Sequence, residues 1–392
     1  MSGARTAVVA GYARTPFTRY TGSLADIPAT ALGAHAAASA LDRAGVAADA
    51  VELVYGGQVV QAGAGQNPAR QAAHGAGVPL TTPALTLNAV CLSGMLAVIE
   101  GARLIESGAA DVVLAIGQES MSRAPHVWPG SRAGARYGSI ELLDTLEVDG
   151  LSDAFEHRSM GASTEAAGRD LGLTRAEQDE WAAASHRRLA ASRDFQAGEI
   201  APFEVARRSG PLVIADDDGL RPDTTTESLG RLRPAFASDG TITAGNSSQV
   251  TDGAAALVLV AEGHELARAP IARIVSHAFV AGPDVSLHAQ PANAIAAAAE
   301  RGGVSLAELA AIEINEAFAA VSVHSARQLG VDPEIVNPHG GAIALGHPIG
   351  ASGARIVGTL ARQLAERGPG ARGAAGICGG GGQGSAVVLE AL

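Results

Sequence analysis

A pattern that occurs twice constrains this fold more than any other feature. Residues 85–90 read as a buried strand, and Leu92, Met95, Leu96 and Ile99 then recur at helical spacing. Ser107-Gly108 stops that helix, and Asp111 to Ile116 reads as the next strand. Far down the chain the scheme returns. Ser352-Gly353 precedes a helix with Ile356, Val357, Leu360 and Leu364 on one face, and Ala374 to Ile377 follows as a strand. Ser93-Gly94 and Ser352-Gly353 therefore occupy like positions in two similar units. The residue-by-residue match is weak, so the expectation is an old duplication.

Between the units, from about Gln118 to Gln249, Arg, Asp, Ser, Pro and single aromatics replace the Ala/Val runs. One helix stands out there, Arg175 to Ala190, opened by Thr174 with Glu177 three residues later as a capping box. Thr251 to Val260 returns to strand character. The expected division is an N-terminal half over 1–117 and 250–270, an inserted loop domain over 118–249, and a C-terminal half over 271–392.

The 392 residues are enough for each half to bury a core. Hydrophobic residues make up 47% and charged ones 17%, an apolar load that favours burial between subunits as well as within them. A net charge of −12 argues against a nucleic-acid partner. All 28 basic residues are Arg, since the chain has no Lys, which excludes Schiff-base chemistry and a P-loop lysine. No run approaches the roughly 20 apolar residues that span a bilayer. Met1-Ser2-Gly3-Ala4-Arg5 leads into a strand rather than a signal segment, so a cytoplasmic protein without membrane partners is expected.

There are two cysteines, too few for a disulfide framework. The plain alternatives are a disulfide or two buried hydrophobes. The flanks argue for chemistry instead. Cys91 lies where a strand gives way to a helix and is followed by Leu92-Ser93-Gly94, a setting in which backbone N–H groups and the helix dipole lower a thiol's pKa. Cys378 ends a strand and precedes four glycines, so its thiol is expected to face an opening lined with bare N–H groups. A phosphate-binding loop is the other reading of that run, but no Lys-Ser/Thr follows it. His347, in the glycine-rich Gly346-His347-Pro348-Ile349-Gly350, is placed to take a proton from a thiol. Asn315 follows the strand Ala311 to Ile314, where its amide could hold a water or serve an oxyanion; taken alone, Asn at a strand end is more often a cap.

Taken in order, Asn88-x-x-Cys91-x-Ser93-Gly94, Asn315-Glu316-Ala317-Phe318, Gly346-His347-Pro348-Ile349-Gly350 with Ala351-Ser352-Gly353, and Cys378-x-Gly380-Gly381-Gly382 resemble the signature blocks of thiolases. Leu232 to Phe236, Thr243 to Asn246 and Asp252 to Ala255 extend the resemblance over nearly the whole chain. It implies an α/β protein with two duplicated βαβαβαββ halves in a five-layered αβαβα core and an inserted loop domain.

The resemblance also implies roles. Cys91 would take the acyl group, with His347 activating it. Cys378 would move the proton at the α-carbon of the second acyl-CoA. The N–H groups of Cys91 and Gly380 would hold the acyl-enzyme oxygen, and His347 with a water on Asn315 the enolate oxygen. Arg221, Ser228, Phe236 and Ser248 match positions that contact coenzyme A, with Met160 and Phe318 at the acyl site. Arg207, Arg208, Arg231 and Arg233 would add positive potential nearby, although a lone Arg is usually a solvated charge.

Expected substrates and products are acyl-CoA and CoA, with no metal and no separate cofactor, in a homodimer or homotetramer. Leu92, Ser159 and the His288-Ala289-Gln290-Pro291 segment depart from the commonest family residues and leave chain length open. The expected reaction is condensation of two acetyl-CoA to acetoacetyl-CoA, or its reverse. A broader-chain 3-ketoacyl-CoA thiolase and a silent thiolase-like binding protein are the alternatives.

Overall fold

The computed structural model describes residues 5–208 and 210–392; Met1 to Ala4, where the N-terminal reading begins, lie outside the described residues. Along the chain run β1 (Ala7–Arg14), α1 (Ala29–Ala44), β2 (Leu53–Gly57), α2 (Pro68–Gly75), β3 (Ala84–Leu87), α3 (Ser93–Glu106) and β4 (Val112–Ser120). After an insertion come β5 (Thr251–Ala261), β6 (Ala272–Ala281), α8 (Gln290–Gly302), β7 (Leu309–Ile314), α9 (Ala319–Leu329), α10 (Ala342–Leu345), α11 (Ser352–Arg367), β8 (Arg372–Gly379) and β9 (Gln383–Ala391). Within the insertion lie α4 (Met160–Gly168), α5 (Arg175–Ala191), α6 (Arg193–Glu199) and α7 (Thr226–Gly230).

The strands join in the order β7-β8-β9-β6-β1-β5-β4-β2-β3. This path contains its own symmetry. β1 and β6 meet only through Val8–Arg273 and Val9–Ala272. On either side of that seam two antiparallel pairings come first, followed by a parallel one: β1/β5, β5/β4 and β4/β2 in one half, β6/β9, β9/β8 and β8/β7 in the other. The N-terminal half adds β3. In the C-terminal half that strand has shrunk to a single bridge between Ile312 and Val336.

Alternation along the strands sets the layers. On β4, Val113 and Ala115 turn inward to α3 and α11, while Val112, Leu114 and Ile116 turn outward to α1 and α2. On β9, Val387 and Leu389 face the same central helices, and Ala386 and Val388 face α8 and α9. Each sheet is apolar on both faces, as strands covered by helices must be. The result is helix, sheet, helix, sheet, helix, with α3 and α11 as the shared middle layer.

Those two helices touch at their N-termini, which is why Ser-Gly opens both. A Cβ on Gly94 would lie 2.7 Å from the Gly350 oxygen and 2.9 Å from the Ala354 nitrogen, and one on Gly353 would strike the Met95 backbone. Any side chain at either position would push the helix starts apart.

Two expectations need correction. The strand before Cys91 is Ala84–Leu87, not 85–90, and it is not buried: it is the edge of the sheet, with Leu85 47% exposed. The chain must leave the sheet early because Val90 turns to φ 53°, a left-handed conformation no strand contains. The insertion also holds more regular structure than one helix, although the predicted capping box on α5 is present, with Thr174 and Glu177 bonded reciprocally. The fully buried Arg14 of β1 ties the insertion down, reaching Glu199 at 3.0 Å and Asp217 at 2.6 Å. A guanidinium so enclosed requires both carboxylates, which fixes where α6 and the following loop sit.

Candidate active site

The turn that carries Cys91 is built by local hydrogen bonds. Asn88 accepts from the Val90 N–H at 3.1 Å, and Ser93 Oγ accepts from Ala89 N while donating to Val90 O at 2.6 Å. A β-branched residue in the left-handed region is strained by about 1–3 kcal/mol and persists only where its surroundings over-determine it. Here the strain turns Cys91 back beneath α3 and sets Val90 against Gly380.

The Cys91 thiol opens on a cavity of about 360 Å³ that His347, Gly380, Met160, Phe236, Ser248 and Phe318 also line. The backbone N–H groups of Cys91 and Gly380 act on its sulfur to lower its pKa. Burial outweighs them. It pushes the thiol up to about 12, and Glu119 pushes in the same direction. The expectation of a lowered pKa therefore fails, because helix and N–H effects are local whereas the dense apolar wall around the sulfur is assembled from distant segments.

His347 is only 6% exposed, and its pKa falls to about 3, first through burial and second through Arg355. The imidazole is therefore neutral throughout the ordinary pH range. Its Nδ1 lies 2.6 Å from Ser352 Oγ, whose hydroxyl also reaches Pro348 O at 3.1 Å. With that hydroxyl donating to the carbonyl, Nδ1 carries the proton and donates to Ser352, leaving Nε2 as the basic atom. Sequence reasoning missed this part of Ser352, although its place five residues after His347 on the first turn of α11 was there to be read.

Asn315 is fully buried, and its Nδ2 lies 3.5 and 3.4 Å from the two ring nitrogens of His347, nearly equidistant. It therefore points between them rather than along one lone pair. Its Oδ1 has no partner among the described residues, an acceptor free for a water or ligand. Next along the chain, Glu316 accepts from Trp181, Ser185, Asn337 and the Ile343 N–H, pinning the end of β7 to α5 and α10.

Cys378 does not face an opening. It is fully buried at the end of β8 with Leu287, Ala317, Phe318 and Met160 around it. Burial raises its pKa, and the neighbouring Cys91 raises it further. Both cysteines are free thiols.

Of the residues expected to meet coenzyme A, Phe236 and Ser248 line the cavity with Met160 and Phe318; Arg221 and Ser228 do not. Arg221 is exposed, with its backbone N–H on His186 Nδ1, and Ser228 closes the capping box of α7. His288, one of the departures, is buried behind the wall that Leu287 presents, with its ring edge-on to His324. Leu92 is likewise sealed in the core, so only Ser159 of the three departures reaches the cavity.

The Cys91 thiol and a neutral imidazole thus share one cavity, with a second thiol buried behind its wall. Residues 7–263 match the family profile described as "Thiolase, N-terminal domain" and residues 268–391 match "Thiolase, C-terminal domain", so the chain belongs to the thiolase family and is an acyltransferase. It is 52% identical over 388 residues to a protein of Mycolicibacterium smegmatis named "Probable acetyl-CoA acetyltransferase", covering 98% of this chain and 100% of that one. A Pseudomonas aeruginosa protein named "Acetyl-CoA acetyltransferase" is 46% identical over 389 residues, covering 97% and 98%. The human mitochondrial 3-ketoacyl-CoA thiolase superposes with a TM-score of 0.93 at 38% identity, covering 99% of both chains. Among the described residues no helix is long and apolar enough to cross a membrane.

Proposed function

We propose that this protein is an acetyl-CoA C-acetyltransferase, converting two acetyl-CoA to acetoacetyl-CoA and CoA, and the reverse, through an acyl group on Cys91. The observation that carries this reading is the Cys91 thiol sharing one cavity with Gly380 and a neutral His347 imidazole. Thiol and imidazole both rest uncharged. Proton transfer to His347 then accompanies attack on the thioester, and the two donors receive the charge that develops on its oxygen. As the first adduct collapses, the CoA sulfur departs with the Cys378 proton, and the Cys378 thiolate so formed takes a proton from the methyl carbon of a second acetyl-CoA. That carbon attacks the acetyl group, and Cys91 leaves by recovering its proton from His347. His347 and a water on Asn315 stabilise the enolate oxygen. Phe236 and Ser248 line the cavity, whereas Arg221 and Ser228 stand outside it, so their effect would be confined to the nucleotide end.

A wider acyl range is the second reading, and one observation favours it. Beyond Cys91 the cavity has an apolar lobe walled by Met121, Leu146, Leu151 and Ile349, with Gly150 among them. A Cβ on Gly150 would come within 3.1 Å of Ile349 Cδ1, displacing that side chain into the space an acyl tail would use.

Intact-mass spectrometry after incubation with acetyl-, butyryl- and hexanoyl-CoA tests both readings. An acetyl adduct on Cys91 is expected, and its absence would favour a silent binding protein. If longer acyl adducts also form, Gly150→Val should reduce them by about 10-fold or more while sparing acetyl, the usual scale for a methylene in an apolar pocket. Adducts from acetyl-CoA alone would remove the wider range.

The chain also fits a homodimer or homotetramer with no separate cofactor, working in the cytoplasm on small-molecule thioesters rather than on nucleic acid or membranes. The open edge strand β3 and the exposed Tyr137, Ile140, Leu142 and Phe155 support assembly. Light scattering should return twice or four times the 39.2 kDa chain, and a monomer would refute it.

A further inference from the structure

The mechanism above leaves one buried acid unused. Glu119, near the end of β4, is fully buried, yet none of its partners is a cation. Its carboxylate accepts three backbone N–H groups instead: Val59 at 3.0 Å and Gly350 at 3.0 Å on Oε2, and Val60 at 3.2 Å on Oε1. Val59 and Val60 belong to the loop after β2, and Val60 packs with Ile349 in the wall around Cys91. Gly350 ends the loop that carries His347. A Cβ at Gly350 would sit 2.8 Å from Glu119 Oε2 and 2.6 Å from the Gln118 oxygen, so the close approach of the acid depends on that glycine.

We propose that Glu119 is a positioning residue: its carboxylate clamps the Val59–Val60 loop to the His347–Gly350 loop, and so fixes the imidazole relative to the Cys91 thiol. This rests on the acyl-transfer reading given above. The clamp works only when ionised. A carboxylate has acceptor sites for all three N–H groups, but protonation of either oxygen turns an acceptor toward a donor and forfeits one bond. The groups that bear on its charge are Asp252 of β5, whose own carboxyl accepts from the Ser122 N–H and hydroxyl, and Cys91 before α3; the two loops it holds bring only the neutral His347. Burial, with Asp252 adding to it, lifts Glu119 to about 8 against the three N–H bonds, so the clamp tightens as pH rises through that value.

The test uses the full-length protein, its Glu119→Gln and Glu119→Asp variants, and single-turnover acetylation of Cys91 by acetyl-CoA between pH 6 and pH 10. The wild-type rate should climb through about pH 8. Glu119→Gln should lose that limb and fall about 10- to 100-fold in kcat above it, with KM within about 3-fold, the scale of a small misplacement of catalytic groups. Glu119→Asp should keep a limb and recover part of the rate. A wild-type profile flat near pH 8, or a Gln variant that keeps both rate and limb, would overturn the clamp whatever the melting temperatures. If the wild type transfers no acetyl group at all, the acyl-transfer reading fails first. The pH profile of Cys91 alkylation by iodoacetamide then decides for Glu119: with the acid's charge gone, Glu119→Gln should alkylate at lower pH, and an unchanged profile would overturn the proposal.

Discussion

Cys378→Ala is expected to accept an acetyl group on Cys91 at close to the wild-type rate and then stop. Condensation of acetyl-CoA should fall by about 10⁴-fold, the upper end of what a positioned acid or base supplies. The upper end applies because the position is fully buried among Leu287, Ala317 and Phe318, with no other titratable side chain in that cluster to take the thiol's place. Attack on the thioester uses Cys91, His347 and the backbone N–H groups, none of which the substitution touches, and without Cys378 the imidazolium of His347 can still hand its proton to the departing CoA. Intact mass should therefore show the acetyl-enzyme accumulating while a coupled assay shows no acetoacetyl-CoA. Normal turnover in this variant would dismiss Cys378 as the group that moves a proton at carbon.

His347→Ala should be hurt in both half-reactions, and more than an Asn315→Ala enzyme. Loss of the base costs about 10²–10⁴-fold. Loss of a donor to the enolate oxygen costs about another 10²–10³-fold. Residues with shared roles are not additive, so a drop of about 10⁴-fold or more in kcat is the expected scale. Acetylation of Cys91 should slow with it, because a thiol held near 12 is almost wholly protonated at neutral pH and has no other base. The pH dependence sharpens this. With His347 depressed to about 3, its protonation cannot cause a decline in rate between pH 5 and pH 7. A wild-type acetylation rate that titrated with an ordinary histidine pKa near 6.5 would contradict the buried, neutral imidazole.

Local features of the site were legible in the sequence. The Ser-Gly helix starts, the glycine-flanked His347 and the turn after Cys378 each declare themselves within a few residues, and the ordered blocks made the family resemblance specific. What escaped was set by distant packing. The Cys91 thiol was expected to be acidic because its own N–H and helix are adjacent in sequence, whereas the apolar wall that overrides them brings together Val59, Met121, Leu146 and Ile349. Glu119 escaped for the same reason. An acid near the end of a strand reads as a surface residue until the loops it serves, around residues 59 and 350, are seen to converge on it. The edge strand was drawn too long because nothing in Leu87 to Val90 announces a left-handed turn at a valine. Arg221, expected from the resemblance to contact coenzyme A, is exposed and lies outside the cavity.

The contact between Gly94 and Gly353 at the start of the two central helices has a consequence for the chain as it is made. Cys91 leaves the ribosome early, but one of the two N–H groups on its sulfur belongs to Gly380, near the C-terminus, and His347 also comes late. A nascent or half-folded chain carries the thiol without the groups that would set it to work. In the mechanism proposed above, acyl transfer therefore begins only when the last strands have closed over the first, and local opening of either half switches it off.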